Sequence, residues 1–164
     1  MIELTPVASG NLELFKAVRL RALAESPSAF GSTYAREVQF DEDEWARRAV
    51  RWNGAFGIGF LAIDNGAGCG IAGGLLDQAD GDRADLVSMW TAPTHRRLGV
   101  GKLLVEGVMA WARLRGVRTL RLMVVANNEA AIRFYLGLGF AMTGHTEPYP
   151  NDPALIEYEM VASL

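Results

Sequence analysis

Apolar and polar positions alternate in two different rhythms along the chain, and each rhythm predicts its own elements. Residues 2–5 read as a short strand closed by Pro6. Leu12, Phe15, Ala22 and Leu23 then recur at helical spacing and predict a helix over residues 12–25, with Ser9 or Asn11 available as a cap and Pro27 ending it. Residues 26–40 read as a loop containing Phe30, Gly31, Tyr34 and Glu37. Asp41, three residues before Glu44, resembles a capping box and opens a second helix reaching Arg51.

The rhythm then shortens. Residues 56–63, 69–76 and 85–91 read as strands separated by the turn signals Asp64-Asn65-Gly66 and Gly81-Asp82, which makes an antiparallel meander. Pro93 stops the third. Helical spacing returns over residues 99–115, with Val100, Leu103, Leu104, Val108, Trp111 and Leu114 inward and Gly116 at the end. Residues 119–125 read as a buried strand. Asn127 or Asn128 caps a short helix to about Leu138, and Gly139-Phe140 lead into a last pair of strands, of which 155–161 is the clearer. The order β-α-α-β-β-β-α-β-α-β-β predicts an α/β domain with a mixed sheet and helices on its faces.

Length and composition narrow this picture. A chain of 164 residues, half of them apolar, suits one domain spanning residues 1–164. A net charge of −3 argues against a nucleic-acid binder. Cys69, the one cysteine, excludes an internal disulfide and fits a reducing, cytoplasmic setting. The N-terminus lacks the pattern of a signal peptide, and no run approaches a membrane span. His95 and His145 have no partner at metal spacing, so no metal is expected.

Two glycine-bearing segments invite chemistry. Gly68-Cys69-Gly70-Ile71-Ala72-Gly73 spells G-x-G-x-x-G, but a turn precedes it and a strand follows, whereas a dinucleotide site needs a strand before and a helix after. Flexible hairpin glycines are the better reading. Arg96-Arg97-Leu98-Gly99-Val100-Gly101, followed by Lys102, lacks the residues of a P-loop at both ends. What remains is a basic, glycine-bearing turn that opens a helix, which is an anion site or simply a capped helix start with solvated arginines.

Arg96-x-x-Gly99-x-Gly101, after Thr91-Ala92-Pro93, resembles the cofactor motif of the GCN5-related N-acetyltransferases (GNAT). Asn128-x-x-Ala131-Ile132-x-Phe134-Tyr135 with Gly139-Phe140 resembles the same family's asparagine-to-tyrosine helix. The segments 89–93 and 147–153 resemble a bacterial subgroup of unassigned substrate. The resemblance covers the whole chain and implies a wedge between strands 85–91 and 119–125. There acetyl-CoA would bond to backbone at Met89, Trp90 and Thr91. Its pyrophosphate would sit on the turn of Arg96, Arg97, Leu98, Gly99, Val100, Gly101 and Lys102, with Asn128, Ala131 and Tyr135 on the other wall.

The implied activity is transfer of an acetyl group to a small-molecule or peptide amine by direct attack. A longer acyl chain and a non-catalytic acyl-CoA-binding module are the alternatives. Tyr135 matches the family's tyrosine and is the candidate acid for the departing thiolate. Ser88, Met89 and Trp90 stand where many family members carry a carboxylate, so the base must come from elsewhere. Glu37 is the preferred candidate, with ordered water as a relay. Phe30, Glu37, Trp90 and Glu147 are candidate walls of the acceptor pocket. The resemblance also raises a homodimer, since edge strands of a mixed sheet need covering.

Overall fold

The computed structural model describes residues 1–52 and 55–164. Seven strands form one sheet in the order β1-β2-β3-β4-β5-β7-β6. They are β1 (Ile2–Pro6), β2 (Gly57–Asp64), β3 (Ala67–Leu76), β4 (Arg83–Thr91), β5 (Thr119–Val125), β6 (Ala141–Tyr149) and β7 (Asp152–Ser163). The helices are α1 (Leu12–Glu25), α2 (Tyr34–Glu37), α3 (Glu42–Trp52), α4 (Val100–Leu114) and α5 (Glu129–Gly137). Only β4 and β5 pair in parallel; every other neighbouring pair is antiparallel. The mixed sheet and the element order agree with the expectation, with one addition. The stretch 26–40 carries a 3-10 turn at Pro27–Ala29 and the single turn α2, whose Thr33 cap accepts from the Arg36 N–H.

Hairpin chemistry sets the meander. Asn65 and Gly66 both have positive φ, 50° and 81°, the backbone of a two-residue turn matched to strand twist. The glycines of β3 are not flexible hairpin residues, as the sequence suggested, but contact points. A Cβ on Gly70 would come within 2.9 Å of Leu104, one on Gly74 within 2.8 Å of Trp111 and Val108, and one on Gly68 within 2.2 Å of Val18. These β3 positions carry no side chain because α4 lies directly on one face and α1 on the other.

The core therefore has two layers. Phe15, Val18, Ala22 and Leu23 of α1 and Trp45 and Ala49 of α3 cover one face. Val100, Leu104, Val105, Val108, Trp111 and Ala112 of α4 cover the other. Leu114, expected inward, is 88% exposed: the helix runs past the sheet by its last turn, and Val117 is buried instead. Among the described residues no helix is long and apolar enough to cross a membrane.

Candidate active site

The site begins with a defect in β4. Ile71 faces Trp90 and Gly73 faces Val87, so Ser88 and Met89 together oppose Ala72 alone. This is a β-bulge, and Ser88 takes a left-handed φ of 57° to make it. The bulge reverses the side-chain alternation. Beyond it, Met89 points toward α4, where its methyl would lie 3.2 Å from a Cβ on Gly101. Ser88 and Trp90 turn toward α1. Arg19 donates to the Ser88 hydroxyl at 2.7 Å, and the Trp90 indole N–H donates to Glu25 at 2.7 Å.

The bulge also ends the parallel ladder. β4 and β5 pair only from Arg83↔Thr119 to Asp85↔Arg121, then run on to Thr91 and Val125 without pairing to each other, each still bonded to its other neighbour, β3 or β7. A cavity of about 300 Å³ opens in the gap. Leu86 to Met89 line one side and Leu122 to Val125 the other; Asn128, Ala131 and Tyr135 of α5 close it on the α4 side, and Ser28 to Gly31 on the α1 side.

At the mouth lies the turn into α4. Arg97 (φ 63°) and Gly99 (φ 84°) are both left-handed, which turns the chain sharply into α4. Leu103 N–H closes the first helical turn on the Gly99 carbonyl at 3.0 Å. Among the described residues, the N–H groups of Leu98, Gly99, Val100, Gly101 and Lys102 have no protein acceptor. Five donors and a helix N-terminus form a cradle for a polyanion. Gly101 is needed for closeness, since a Cβ there would meet Phe134 at 3.0 Å. Arg97 is exposed and makes no ion pair among the described residues, and Lys102 makes only a loose one to Glu106 at 3.7 Å.

Arg96 plays another part than expected. Its Nε donates to the Thr91 carbonyl at 3.1 Å and its guanidinium grips Glu25 at 2.8 Å. It braces the turn against the C-terminus of α1 and does not reach toward the cradle. Burial pushes the Glu25 carboxyl up, but bonds from Ser26 and Trp90 and the Arg96 charge outweigh it and hold the group below its ordinary value. Trp90 belongs to the same brace: it is 3% exposed, Arg21 lies 5.3 Å from its ring, and its side chain does not line the cavity. The sequence expectation that it walls the acceptor pocket is corrected by the bulge that turns it away.

On α5, Asn128 caps the helix by accepting from the Ala131 N–H at 3.2 Å. That fixes α5 with Tyr135 facing the wedge. The Tyr135 ring packs edge-on against Phe134 and Phe140, and its hydroxyl has no hydrogen-bond partner among the described residues. Burial pushes the phenol well above its ordinary value, so it stays protonated and keeps a proton to donate.

Glu37 is misplaced for a general base. It is fully buried and does not line the cavity. Arg19 clamps both its oxygens at 3.0 and 2.9 Å, and Arg48 adds a third contact at 3.3 Å. Burial pushes its carboxyl up, but the Arg19 bond and charge win and hold it below the ordinary range. Its work is structural: Glu37 fixes Arg19, which stacks 4.8 Å from the Phe30 ring and holds Ser88 at the bulge. Phe30 does line the cavity; its carbonyl accepts from Tyr149 (2.6 Å) and Asn151 (3.0 Å), so the β6–β7 turn pins this loop over the wedge.

Three charged residues of the cavity escaped the sequence reading: Asp85 as part of a pair, Arg121, and Glu157. Arg121 binds Asp85 at 2.6 Å and Glu159 at 3.4 Å. Glu157 sits opposite Val125 on β5 and Glu147 on β6. The Glu147 side chain is exposed and bonded to His145 at 3.0 Å. The available signal was the alternation Glu157-x-Glu159 on a strand, which marks one face as polar.

Known proteins resemble this chain in sequence or in fold. The [Ribosomal protein bS18]-alanine N-acetyltransferase of Escherichia coli is 34% identical over 97 residues, which cover 58% of this chain and 64% of that protein. The chain thus spans just under two thirds of the length of that curated relative. A GNAT-family acetyltransferase from Streptococcus pneumoniae superposes with a TM-score of 0.83 at 22% identity, over 100% of this chain and 99% of that one. The PaiA N-acetyltransferase of Thermoplasma acidophilum, solved in complex with coenzyme A, superposes with a TM-score of 0.77 at 15% identity over 100% and 99%. A family model described as "Acetyltransferase (GNAT) family" matches residues 20–140, and the chain belongs to that family.

Proposed function

We propose that this protein moves an acetyl group from acetyl-CoA to a primary amine by direct attack within a ternary complex. The observation that carries this reading is the wedge: two parallel strand ends unpaired to each other, a cradle of unbonded N–H groups at its mouth, and an unpartnered phenol inside. A diphosphate suits the cradle, where Leu98 to Lys102 offer N–H groups and Arg97 offers charge. A slender pantetheine arm suits the gap, where strand backbone at Met89 to Thr91 has lost its parallel neighbour.

Bound there, acetyl-CoA supplies a thioester carbonyl and a sulfur leaving group. The protein's tasks are then to hold the carbonyl against the bulge, to take a proton from the incoming ammonium, and to give one to the sulfur. Backbone N–H groups at the bulge can face a developing oxyanion without reorganising. Tyr135 gives the proton to sulfur. Burial disfavours a lone thiolate and a lone phenolate alike, so Tyr135 passes its proton to sulfur only as a proton from the attacking nitrogen replaces it.

The acceptor reaches the carbonyl from the α1 side, past Phe30 and the strands carrying Glu157 and Glu147. The relative that acts on an alanine of a ribosomal protein makes a peptide α-amine one class to try, beside small primary amines. Calorimetry with CoA, then thiol release from acetyl-CoA and from longer acyl-CoAs across a panel of peptide and small amines, tests the proposal. Binding with turnover on at least one amine is expected. Binding without turnover on any amine reduces the protein to a binding module, and no binding overturns the reading entirely.

A further inference from the structure

We infer that Glu157 is the general base that accepts the proton from the acceptor's ammonium. This rests on the transferase reading above and supplies the group that reading leaves unassigned.

The cavity has two carboxylates in its lining, Asp85 and Glu157. Asp85 is consumed by Arg121, which binds both its oxygens at 2.6 and 3.2 Å. Glu157 makes no hydrogen bond and no ion pair among the described residues. The neighbouring carboxylates are all engaged elsewhere: Glu159 by Arg121 and Thr143, Glu147 by His145, and Glu37 by Arg19 and Arg48. Glu157 is thus the one cavity carboxylate, among the described residues, whose lone pairs are unspent.

Its placement suits the task. Glu157 faces Val125 at the end of β5 where the wedge is widest, and Tyr135 lines the same cavity from α5. The arrangement gives a proton acceptor on β7 and a proton donor on α5 in one enclosure, into which the thioester would run. The charged and titratable groups around Glu157 are Glu147 and His145 on β6, Glu159 on its own strand, Arg121 on β5, Asp85 on β4 and Tyr135 on α5; the 3-10 turn over it carries none. Arg121 is neutralised by Asp85 and Glu159, so nothing opposes the two influences that remain. Burial pushes the Glu157 carboxyl up, and the facing Glu147 charge pushes it further in the same direction. A carboxylate so raised is a better base than an ordinary one.

The protons balance. An ammonium carries two more than neutrality of the final amide requires. Glu157 takes the first before attack, which frees the nitrogen lone pair that forms the bond to the carbonyl carbon, and later releases it to water. The C–S bond breaks with its electron pair on sulfur, which takes the phenol proton of Tyr135. The second nitrogen proton restores the phenol through water. The products are an N-acyl amide, a free thiol and one proton.

The test pairs kinetics with a titration that needs no substrate. Glu157→Gln should lower kcat/KM about 10²-fold at neutral pH and abolish its acidic limb, while CoA affinity by calorimetry stays at the wild-type value. The deficit should shrink as pH rises and more of the amine arrives neutral, and Glu157→Asp should restore part of the rate. In the protein alone, carbon-13 NMR of the Glu157 carboxyl should show titration above the ordinary ~4.3 of glutamate, moving down in Glu147→Gln. A Glu157→Gln enzyme with wild-type rate and pH profile overturns the inference while leaving the transferase reading intact, as does an ordinary Glu157 titration. A wild-type protein that turns over no amine overturns the transferase reading and this inference with it.

Discussion

The two halves of the wedge are made of different material. The donor half is main chain: N–H groups of Leu98 to Lys102, a turn bent by Arg97 and Gly99, and the edge of β4 unpaired to β5. Its parts are adjacent in sequence. The half proposed to take the acceptor is side chains and long-range contacts: Glu157 from β7, Phe30 held by Tyr149 and Asn151, and Ser88 held by Arg19, which Glu37 holds in turn. Its parts come from distant stretches of the chain. A site of backbone donors can bind one common ligand through a short turn. A site of converging side chains can be retuned residue by residue, so acceptor choice can change while the donor stays fixed.

The strongest test of that division is Glu37→Gln. If Glu37 is scaffold, its loss leaves the Arg19 guanidinium buried beside a neutral partner and costs about 3–5 kcal/mol of stability, measured by chemical denaturation. The sign of the pH dependence follows from the depressed carboxyl. Glu37 contributes stability that is fully present above the ordinary glutamate range and is lost as pH falls through the lower folded value. The gap between wild type and Glu37→Gln is therefore full at neutral pH and closes in acid. A variant of undiminished stability that has lost the acidic limb of kcat/KM would return Glu37 to the chemistry and break the comparison.

Next in size is Tyr135→Phe, on the donor half's far wall. It should lower kcat about 10²-fold with CoA affinity unchanged, since the ring's packing against Phe134 and Phe140 survives. Unchanged turnover at saturating substrate would remove Tyr135 from the mechanism.

The same division explains what could be read from the chain. Strand and helix periods, the hairpin at Asn65-Gly66, the cap at Asn128 and the turn at Arg97 to Gly101 are local, and local rules find them. The bulge at Ser88 is not local. A strict alternation puts Trp90 and Ser88 on the side of Leu86; the extra residue in β4 puts them against α1, and no periodicity shows it in advance. As sequence, Glu37 and Glu157 differ only in the elements predicted for them, a loop and a strand, and the loop drew the choice to Glu37. Their difference in the folded protein comes from register and tertiary pairing: two arginines converge on one, and a second glutamate faces the other.

The smallest effect separates the two arginines of the cofactor turn, which are adjacent in sequence and similar in chemistry. Arg96 is spent on Glu25 and the Thr91 carbonyl, whereas Arg97 is exposed and unpaired among the described residues. Arg97→Ala should raise the dissociation constant of CoA roughly two- to fivefold in low salt, about 0.5–1 kcal/mol for one exposed charge near a diphosphate. The effect should fade as salt is added, because an exposed contact is screened. Arg96→Ala should instead lower thermal stability by loosening the turn from α1, with a change in CoA affinity that added salt leaves in place. Calorimetry at two ionic strengths, with a melting curve for each variant, reads both. If Arg96→Ala carries the salt-dependent loss and Arg97→Ala does not, then Arg96 exchanges Glu25 for phosphate on binding, and the donor half is less purely main chain than its unliganded geometry indicates.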